Sequence, residues 1–249
     1  MLSDLPISFI AALLSGIALF SLLALLRLLY DIITTKKPVL GFWDRCLRSP
    51  VSIVVPTYSD ENSLFTSRTI SSASAKVESL LCSFHKKPEE IKIFEAIDVH
   101  NMEENVILIG GPISNEITRK IMQFFKVPFY FENHVLNCCN RKYEPKLDEN
   151  GDILEDYAFI LKTKNPYNNK KNFIVIAGCY VYGCISGVIA VTDRGILRNI
   201  YRKAKRKSVG VIIKSHVINN IPKKPFLLEV FEIEDEITVR MSQNEESQI

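Results

Sequence analysis

Glycine and proline are scarce in this sequence: the 249-residue chain has 10 Gly and 11 Pro, too few for a collagen-like or low-complexity protein. An excess of one charge is missing too. Its 31 Lys and Arg oppose 28 Asp and Glu, and the net charge of +3 favours no class of partner. The 24% charged and 47% hydrophobic residues are typical of a folded protein and exclude global disorder. The length allows one large domain or two small ones.

The motifs of several well-defined chemistries are also missing. Gly178 and Gly183 have the spacing of a phosphate-binding P-loop, but Cys184 and Ile185 replace the Lys-Ser/Thr pair that such a loop requires. Neither Gly-x-Gly-x-x-Gly nor Asp-x-Asp occurs, and the four histidines lie in separate segments without a recognisable catalytic partner. The sequence therefore predicts no catalytic residue, and the identity of any cofactor stays open.

Six cysteines are present, but their spacing is not that of a disulfide framework. Most of them lie in apolar runs, as is typical of small buried side chains in a reducing compartment. The adjacent pair Cys138 and Cys139, with His134 nearby in the sequence, supplies only half of a metal site. Because two more ligands must come from elsewhere, no metal site is predicted.

The N-terminal region contains the longest run without a charge, the 22 residues Leu5–Leu26. As a helix this run is about 33 Å long, which matches the hydrocarbon core of a bilayer. Five cations follow the run and none precedes it: Arg27, Lys36, Lys37, Arg45 and Arg48. The sequence therefore predicts a single-pass transmembrane anchor over residues 1–33, with the C-terminal side in the cytoplasm.

The rest of the chain divides into three predicted parts. Residues 34–50 contain Pro38 and Gly41 and are predicted as a basic linker. Residues 51–240 form a cytosolic α/β domain, and residues 241–249 are a frayed tail.

Short apolar runs and helical patterns alternate within this domain. The predicted strands are 51–56, 91–97, 105–109, 127–131, 157–163, 173–177, 209–214 and 226–239. The predicted helices are 69–84, 115–125 and 184–205. Residues 132–156 are polar and are predicted to be irregular. This alternation predicts a Rossmann-like, mostly parallel sheet with helices on both faces.

Two strands end in glycine and lead into helices, and these corners are the predicted binding site. The first corner offers Gly110, Gly111, Ser114 and Asn115. The second offers Gly178, Tyr180 and Gly183. Free N–H groups at a helix N-terminus attract anions, and open α/β sheets bind ligands at the carboxyl ends of their strands. The alternative is that the glycines only permit the turns.

Parts of the sequence resemble two known protein families. Asn105–Thr118 and Val175–Gly183, with Asp156–Ile160 upstream, resemble motifs in the Rossmann-like C-terminal domain of archaeal S-layer proteins. This resemblance implies a Rossmann-like fold, and the sequence departs from the pattern at Cys184, where Thr is preferred. Val51–Asn62 resembles the nucleotide-sugar-binding start of inverting family 2 glycosyltransferases, which implies a transferase.

Basic residues without an acid dominate the segment from Gly195 to Leu228. Because a transmembrane anchor is predicted, we expect contact with anionic lipid through five of them. These are Arg202, Lys203, Lys205, Arg206 and Lys207. No nucleic acid is expected as a partner, because no binding module is present and the total charge is modest. Assembly into a homo-oligomer is left open.

The sequence thus predicts a membrane-anchored cytosolic domain that binds a small anionic or nucleotide-like ligand, or a protein partner, without catalysis. The enzyme alternative is a transferase or hydrolase acting on a nucleotide-sugar or nucleoside through Asp60, Asp98 or Glu116. A third alternative is a structural domain, in which the Gly110 corner is sealed by neighbouring side chains.

Overall fold

The computed structural model describes residues 7–57, 64–84, 86–98, 102–124, 129–205 and 207–233. The chain begins with one continuous helical rod. It consists of α1 (Ile7–Asp31), a π-helical turn (Ile32–Lys36) and α2 (Lys37–Arg48). Ala11–Thr34 is long and apolar enough to cross a membrane, and it makes no buried contact with the rest of the protein. A helix of spanning length near the N-terminus is therefore confirmed.

The π-helical turn has a local cause in Pro38. A proline has no N–H, and its ring clashes with the carbonyl of the residue four positions earlier. The helix widens here, so that the N–H of Lys37 donates to the carbonyl of Ile32, five residues back. The hydroxyl of Thr34 donates to the carbonyl of Tyr30 at 2.7 Å. The rod therefore passes the proline without breaking.

The segment predicted as a basic linker is instead helix α2, and most of its apolar residues are buried. Gly41 lets the ring of Tyr201 approach so closely that a Cβ at this glycine would lie 2.2 Å from a ring carbon. The indole N–H of Trp43, which is fully buried, donates to the carbonyl of Val191 at 3.0 Å. Pro38 and Gly41 therefore mark a close packing contact, although their residue types are typical of a linker.

Twelve strands follow in chain order among the residues that the structure describes. They are β1 (Val51–Val55), β2 (Ile91–Glu95), β3 (Asn105–Ile109), β4 (Phe129–Glu132), β5 (Val135–Cys138), β6 (Arg141–Tyr143), β7 (Lys146–Leu147), β8 (Ile153–Asn165), β9 (Asn168–Gly178), β10 (Val209–Ile218), β11 (Ile221–Pro222) and β12 (Phe226–Glu232). Four more helices complete the described fold: α3 (Leu64–Ser83), α4 (Glu116–Phe124), α5 (Val181–Thr192) and α6 (Arg194–Ala204). The class is α/β, as predicted.

The main sheet has the order β11-β10-β8-β9-β3-β1-β2, with β12 paired to β10 and β7 paired to β8. The strands β2, β1, β3 and β9 are parallel, whereas β9, β8, β10 and β12 pair antiparallel. The sheet is therefore mixed, and the prediction of a mostly parallel sheet fits only one half. The difference arises at β8 and β9, which are joined by the two residues Pro166 and Tyr167, too short for a parallel crossover.

Side chains alternate between two cores on the faces of this sheet. In β8, Ala158 and Ile160 face the core formed with α2, α3, α5 and α6, whereas Phe159 and Leu161 face the opposite core. The second core contains Ile121 of α4 and the apolar residues of a small sheet, β4-β5-β6. Helices thus lie on both faces, as predicted.

Two segments differ from the predicted elements. Residues 132–156, predicted to be irregular, contain β5, β6 and β7, and tight turns with positive φ at Asn133-His134 and Cys139-Asn140 join β4, β5 and β6. The predicted helix 184–205 is two helices, because the Asp193 side chain accepts the N–H of Ile196 at 2.9 Å and caps a new helix, α6.

Helix α2 crosses the main sheet at the ends where β3 and β9 begin. Along α2, the carbonyl of Gly41 accepts from Lys162 of β8 at 3.0 Å, and the guanidinium of Arg45 donates to the carbonyl of Lys171 in β9 at 3.0 Å. The amide of Asn105, the first residue of β3, donates to the Ser49 hydroxyl at 2.8 Å. The N-terminal rod is therefore attached to three neighbouring strands of the sheet.

We expect Asn105→Ala to lower the free energy of unfolding by about 2–3 kcal/mol. Asn105 is fully buried, its amide also donates to the carbonyl of Pro50 at 2.9 Å, and its oxygen accepts the N–H of Asn172 at 2.8 Å. Unfolding of the full chain in detergent micelles measures the change, with the exposed Asn169→Ala as control. Equal stability of the two variants would contradict this assignment.

Candidate functional site

A cavity of about 220 Å³ lies between the carboxyl ends of β3 and β9, at the sheet edge opposite α2. Its walls are mostly apolar. The lining residues are Ile70, Gly111, Pro112, Ile113, Ser114, Phe131, His134, Ile153, Gly178, Cys179, Tyr180, Val181 and Cys184. The structure therefore brings the two predicted glycine corners together around one cavity, with a third contribution from the β4–β5 turn.

The two corners touch through their backbones. Gly110 has φ +121°, and a Cβ there would lie 2.7 Å from the Pro56 ring. A Cβ at Gly111 would lie 2.8 Å from the carbonyl oxygen of Gly178. A side chain at either glycine would force the corners apart, so these residues are needed for the turn and for the close approach.

Four of the seven predicted site residues line the cavity: Gly111, Ser114, Gly178 and Tyr180. The other three, Gly110, Asn115 and Gly183, have structural contacts. The Asn115 oxygen caps α4 by accepting the N–H of Thr118 at 3.1 Å, and its amide donates to the carbonyl of Ile109 at 3.1 Å. A Cβ at Gly183 would lie 2.3 Å from the carbonyl oxygen of Tyr157, so this glycine lets α5 approach β8.

The amides expected to hold an anion already have acceptors. The N–H of Gly110 donates to the carbonyl of Ile176 at 2.9 Å. The thiol sulfur of Cys184 accepts from the N–H of Gly178 at 3.2 Å. The N–H of Gly183 donates to the carboxylate of Asp156. The expectation of free backbone amides at these glycines is thereby corrected.

Asp156 was not among the predicted site residues, yet it organises this edge of the sheet. It is fully buried in β8, and its carboxylate accepts three N–H groups, from Tyr157 at 2.8 Å, Tyr180 at 3.2 Å and Gly183. Burial raises the pKa of Asp156 to about 6, although the three bonds and the nearby His134 partly oppose this shift. The N-terminus of α5 therefore holds a carboxylate of the protein itself.

Two stacked rings form the most distinctive wall of the cavity. The rings of His134 and Tyr180 lie 4.3 Å apart with an angle of 2° between their planes. His134 sits in the β4–β5 turn with φ +63°, and its Nδ1 lies 3.0 Å from the carbonyl oxygen of Cys179. Because a carbonyl only accepts, this nitrogen carries the proton. The turn is thus held against the second glycine corner.

The thiols at the cavity are protonated side chains. Burial raises the pKa of Cys184 to about 12 and raises that of Cys179 as well. The sulfurs of Cys138 and Cys139 lie 3.5 Å apart, and among the described residues no group of three or more His, Cys, Asp or Glu side chains is arranged to hold a metal. The site therefore presents neutral, polarisable sulfur.

Two acids of the enzyme alternative, Glu116 and Asp98, are not among the residues that line this cavity. Glu116 lies in the first turn of α4, half exposed, and pairs with Lys120 of the same helix at 3.2 Å. Asp98 is exposed in a short 3₁₀ turn, Ala96–Asp98, after β2. Asp60 lies outside the described residues.

No protein-family model matches the chain, and no curated protein matches it.

We expect Asp156→Asn to change how stability depends on pH. The folded-state pKa of about 6 lies above the ordinary 3.8, so folding takes up a proton between these values. The contribution of this group to stability is therefore complete below pH 3.8 and is lost as the pH rises through 6, on the order of 3 kcal/mol in all.

Unfolding of the full chain between pH 3.8 and pH 6, in detergent micelles, measures this effect. The stability of the wild type relative to Asp156→Asn is expected to fall as the pH rises from 3.8 to 6. Asp152→Asn, at an exposed carboxyl, is the control and keeps the wild-type profile. Parallel profiles for the wild type and Asp156→Asn would refute the raised pKa.

Proposed function

We propose that this protein is a membrane-anchored domain that binds a small planar ligand in the cavity between its two glycine corners. The observation that carries the proposal is the face-to-face stack of His134 on Tyr180 in the wall of an otherwise apolar cavity. A flat ligand ring extends this stack from its outer face and leaves its own other face to the apolar walls.

The size of the cavity supports a small ligand. Its volume of about 220 Å³ is below the range that drug-sized ligands usually occupy. A heterocycle of one or two rings is of a suitable size. Ser114 lines the cavity too, and its hydroxyl already bonds the carbonyl of Gly111 at 3.3 Å. To recognise a polar group of the ligand, the Ser114 hydroxyl must therefore bond the ligand as well as the carbonyl of Gly111.

The charges around the cavity favour an uncharged or weakly basic ring over a phosphate. The carboxylate of Asp156 lies behind the second corner, and the amides of the corner glycines donate to protein acceptors. An anion would have to displace these acceptors. The ligand we propose is therefore nucleotide-like in its base rather than in its phosphate.

The membrane anchor and the side on which the domain lies are part of the same proposal. The support for an anchor is the exposed apolar helix Ala11–Thr34. Lys36 and Lys37 follow it directly, and the positive-inside rule then assigns the domain to the cytoplasm. The Rossmann-like relationship is likewise supported by the glycine corners that end β3 and β9 at one sheet edge.

We expect Tyr180→Ala and His134→Ala both to weaken binding of nucleobases or nucleosides, by about tenfold or more for the ring that contacts the ligand, since stacking on one aromatic side chain contributes about 1–3 kcal/mol, and by less for the ring that supports it from behind. The probes are adenine, guanine and uracil, their nucleosides and their monophosphates, tested on the full chain by thermal shift and titration calorimetry. Tyr167→Ala, an exposed tyrosine in the β8–β9 turn, is the control.

The panel also separates the alternatives. Nucleobases and nucleosides are expected to bind more tightly than monophosphates. The tightest binding by a monophosphate would favour an anion site, and no binding by any probe would favour a purely structural corner.

A further inference from the structure

We propose that α6 and the helical turn where the N-terminal rod leaves the membrane form one cationic surface that lies on anionic lipid headgroups. The domain would then be held at two places, by its span and by α6. This inference rests on the proposed membrane anchor. It adds a partner, the bilayer surface, to a helix that takes no part in the cavity.

Helix α6 lies beside the N-terminal rod. Its apolar face, which contains Ile196, Leu197 and Ile200, is buried, and the helix packs against both α2 and the π-helical turn Ile32–Lys36. The close contact of Tyr201 with Gly41 fixes α6 beside the rod. The π-helical turn overlaps the end of the apolar stretch Ala11–Thr34, so α6 lies next to the point where a spanning helix would leave the bilayer.

The exposed surface of α6 carries a concentration of positive charge. The exposed residues of α6 and of the turn that ends it include five cations, and α6 contains no acid. They are Arg194, Arg198, Arg202, Lys203 and Lys205. Lys36 and Lys37 are exposed in the neighbouring rod and extend the same charge toward the membrane exit.

The cationic surface of α6 shares only some residues with the lipid contact expected from the sequence. Lys207, one of the five residues expected from the sequence, pairs with Glu232 at 2.5 Å. Arg206 lies outside the described residues. Arg194 and Arg198, which the sequence analysis did not include, lie on α6 itself.

The covalent link to the span favours a lipid surface over a free anionic macromolecule. Lys37 lies only about 6 Å along the helix from Ile33, the last apolar residue before the polar end of the span. A cation held close to an anionic leaflet favours the bound orientation by roughly fivefold, so several such residues together would dominate the orientation of the domain. These forces are screened by salt.

The test places a fluorescent amino acid at Asn199, an exposed position on α6, in the full chain reconstituted into vesicles. The vesicles contain phosphatidylcholine alone or with phosphatidylserine, together with lipids that carry a nitroxide quencher on the headgroup. We expect quenching at Asn199 in the anionic vesicles, little in the neutral ones, and reversal by added salt. The same label at Lys92, on the edge strand β2, is expected to stay bright in both.

A charge-reversal variant gives the second arm. R198E, R202E and K203E together are expected to abolish quenching at Asn199, because they convert the lipid-facing cations to anions. The matched control, K76E, K92E and K142E, changes the net charge equally at exposed positions on α3, β2 and β6 and should leave quenching intact. Circular dichroism checks that both variants are folded, and the salt titration supports or refutes the contact without any substitution.

A label at Leu14, within α1, distinguishes failure of this inference from failure of the anchor. Quenching of Leu14 by lipids with a nitroxide on the acyl chain reports insertion of the span. If Leu14 is quenched and Asn199 is not, the lipid contact is refuted and the anchor stands. If Leu14 is not quenched, both fail. Equal quenching at Asn199 in neutral vesicles, or its loss in the control variant, would also overturn the charge-specific contact.

Discussion

The candidate site depends on the hydrogen bonds that the buried carboxylate of Asp156 accepts from backbone N–H groups. Asp156 belongs to β8, but it accepts hydrogen bonds from Tyr180 and Gly183, at the corner after β9 and in the first turn of α5. One side chain therefore joins a strand to the neighbouring helix and fixes the wall that carries Tyr180. Burying a carboxylate costs free energy unless it is hydrogen-bonded, and these backbone N–H groups offset that cost. Because they donate to Asp156, the same N–H groups are not free to bind a ligand.

A second constraint acts at the other edge of the sheet, where the N-terminal rod is built into the domain. Trp43 is fully buried against α5, and Lys162, itself buried, reaches the carbonyl of Gly41. Burial lowers the pKa of Lys162, and the nearby Asp44 partly opposes this change. The N-terminal rod thus continues into the core as one helical element, with α6 packed beside it.

Sequence reasoning located the corners because their signal is local. An apolar strand such as β3, ending at Gly110 and Gly111 before a helix, has few alternative structures, and the carboxyl ends of parallel strands meet at one edge. Asp156 and His134 could not be found in this way, since their partners are brought together only by strand pairing and by a left-handed turn without glycine. The linker prediction failed for the opposite reason. Pro38 and Gly41 break helices in isolation, but here a π-helical turn and a tyrosine ring accommodate them.

The corners also show why glycine at the end of a strand is insufficient to predict an anion site. Such a site needs N–H groups that lack an acceptor in the folded protein. Cys184 lies in the first turn of α5, after the second corner, and its sulfur accepts from the N–H of Gly178. A neutral thiol and a buried carboxylate have thus taken up the donors that phosphate would use. The cavity therefore offers mainly shape, an aromatic stack and apolar walls, and these features are the basis on which we propose a planar ring rather than a phosphate as its ligand.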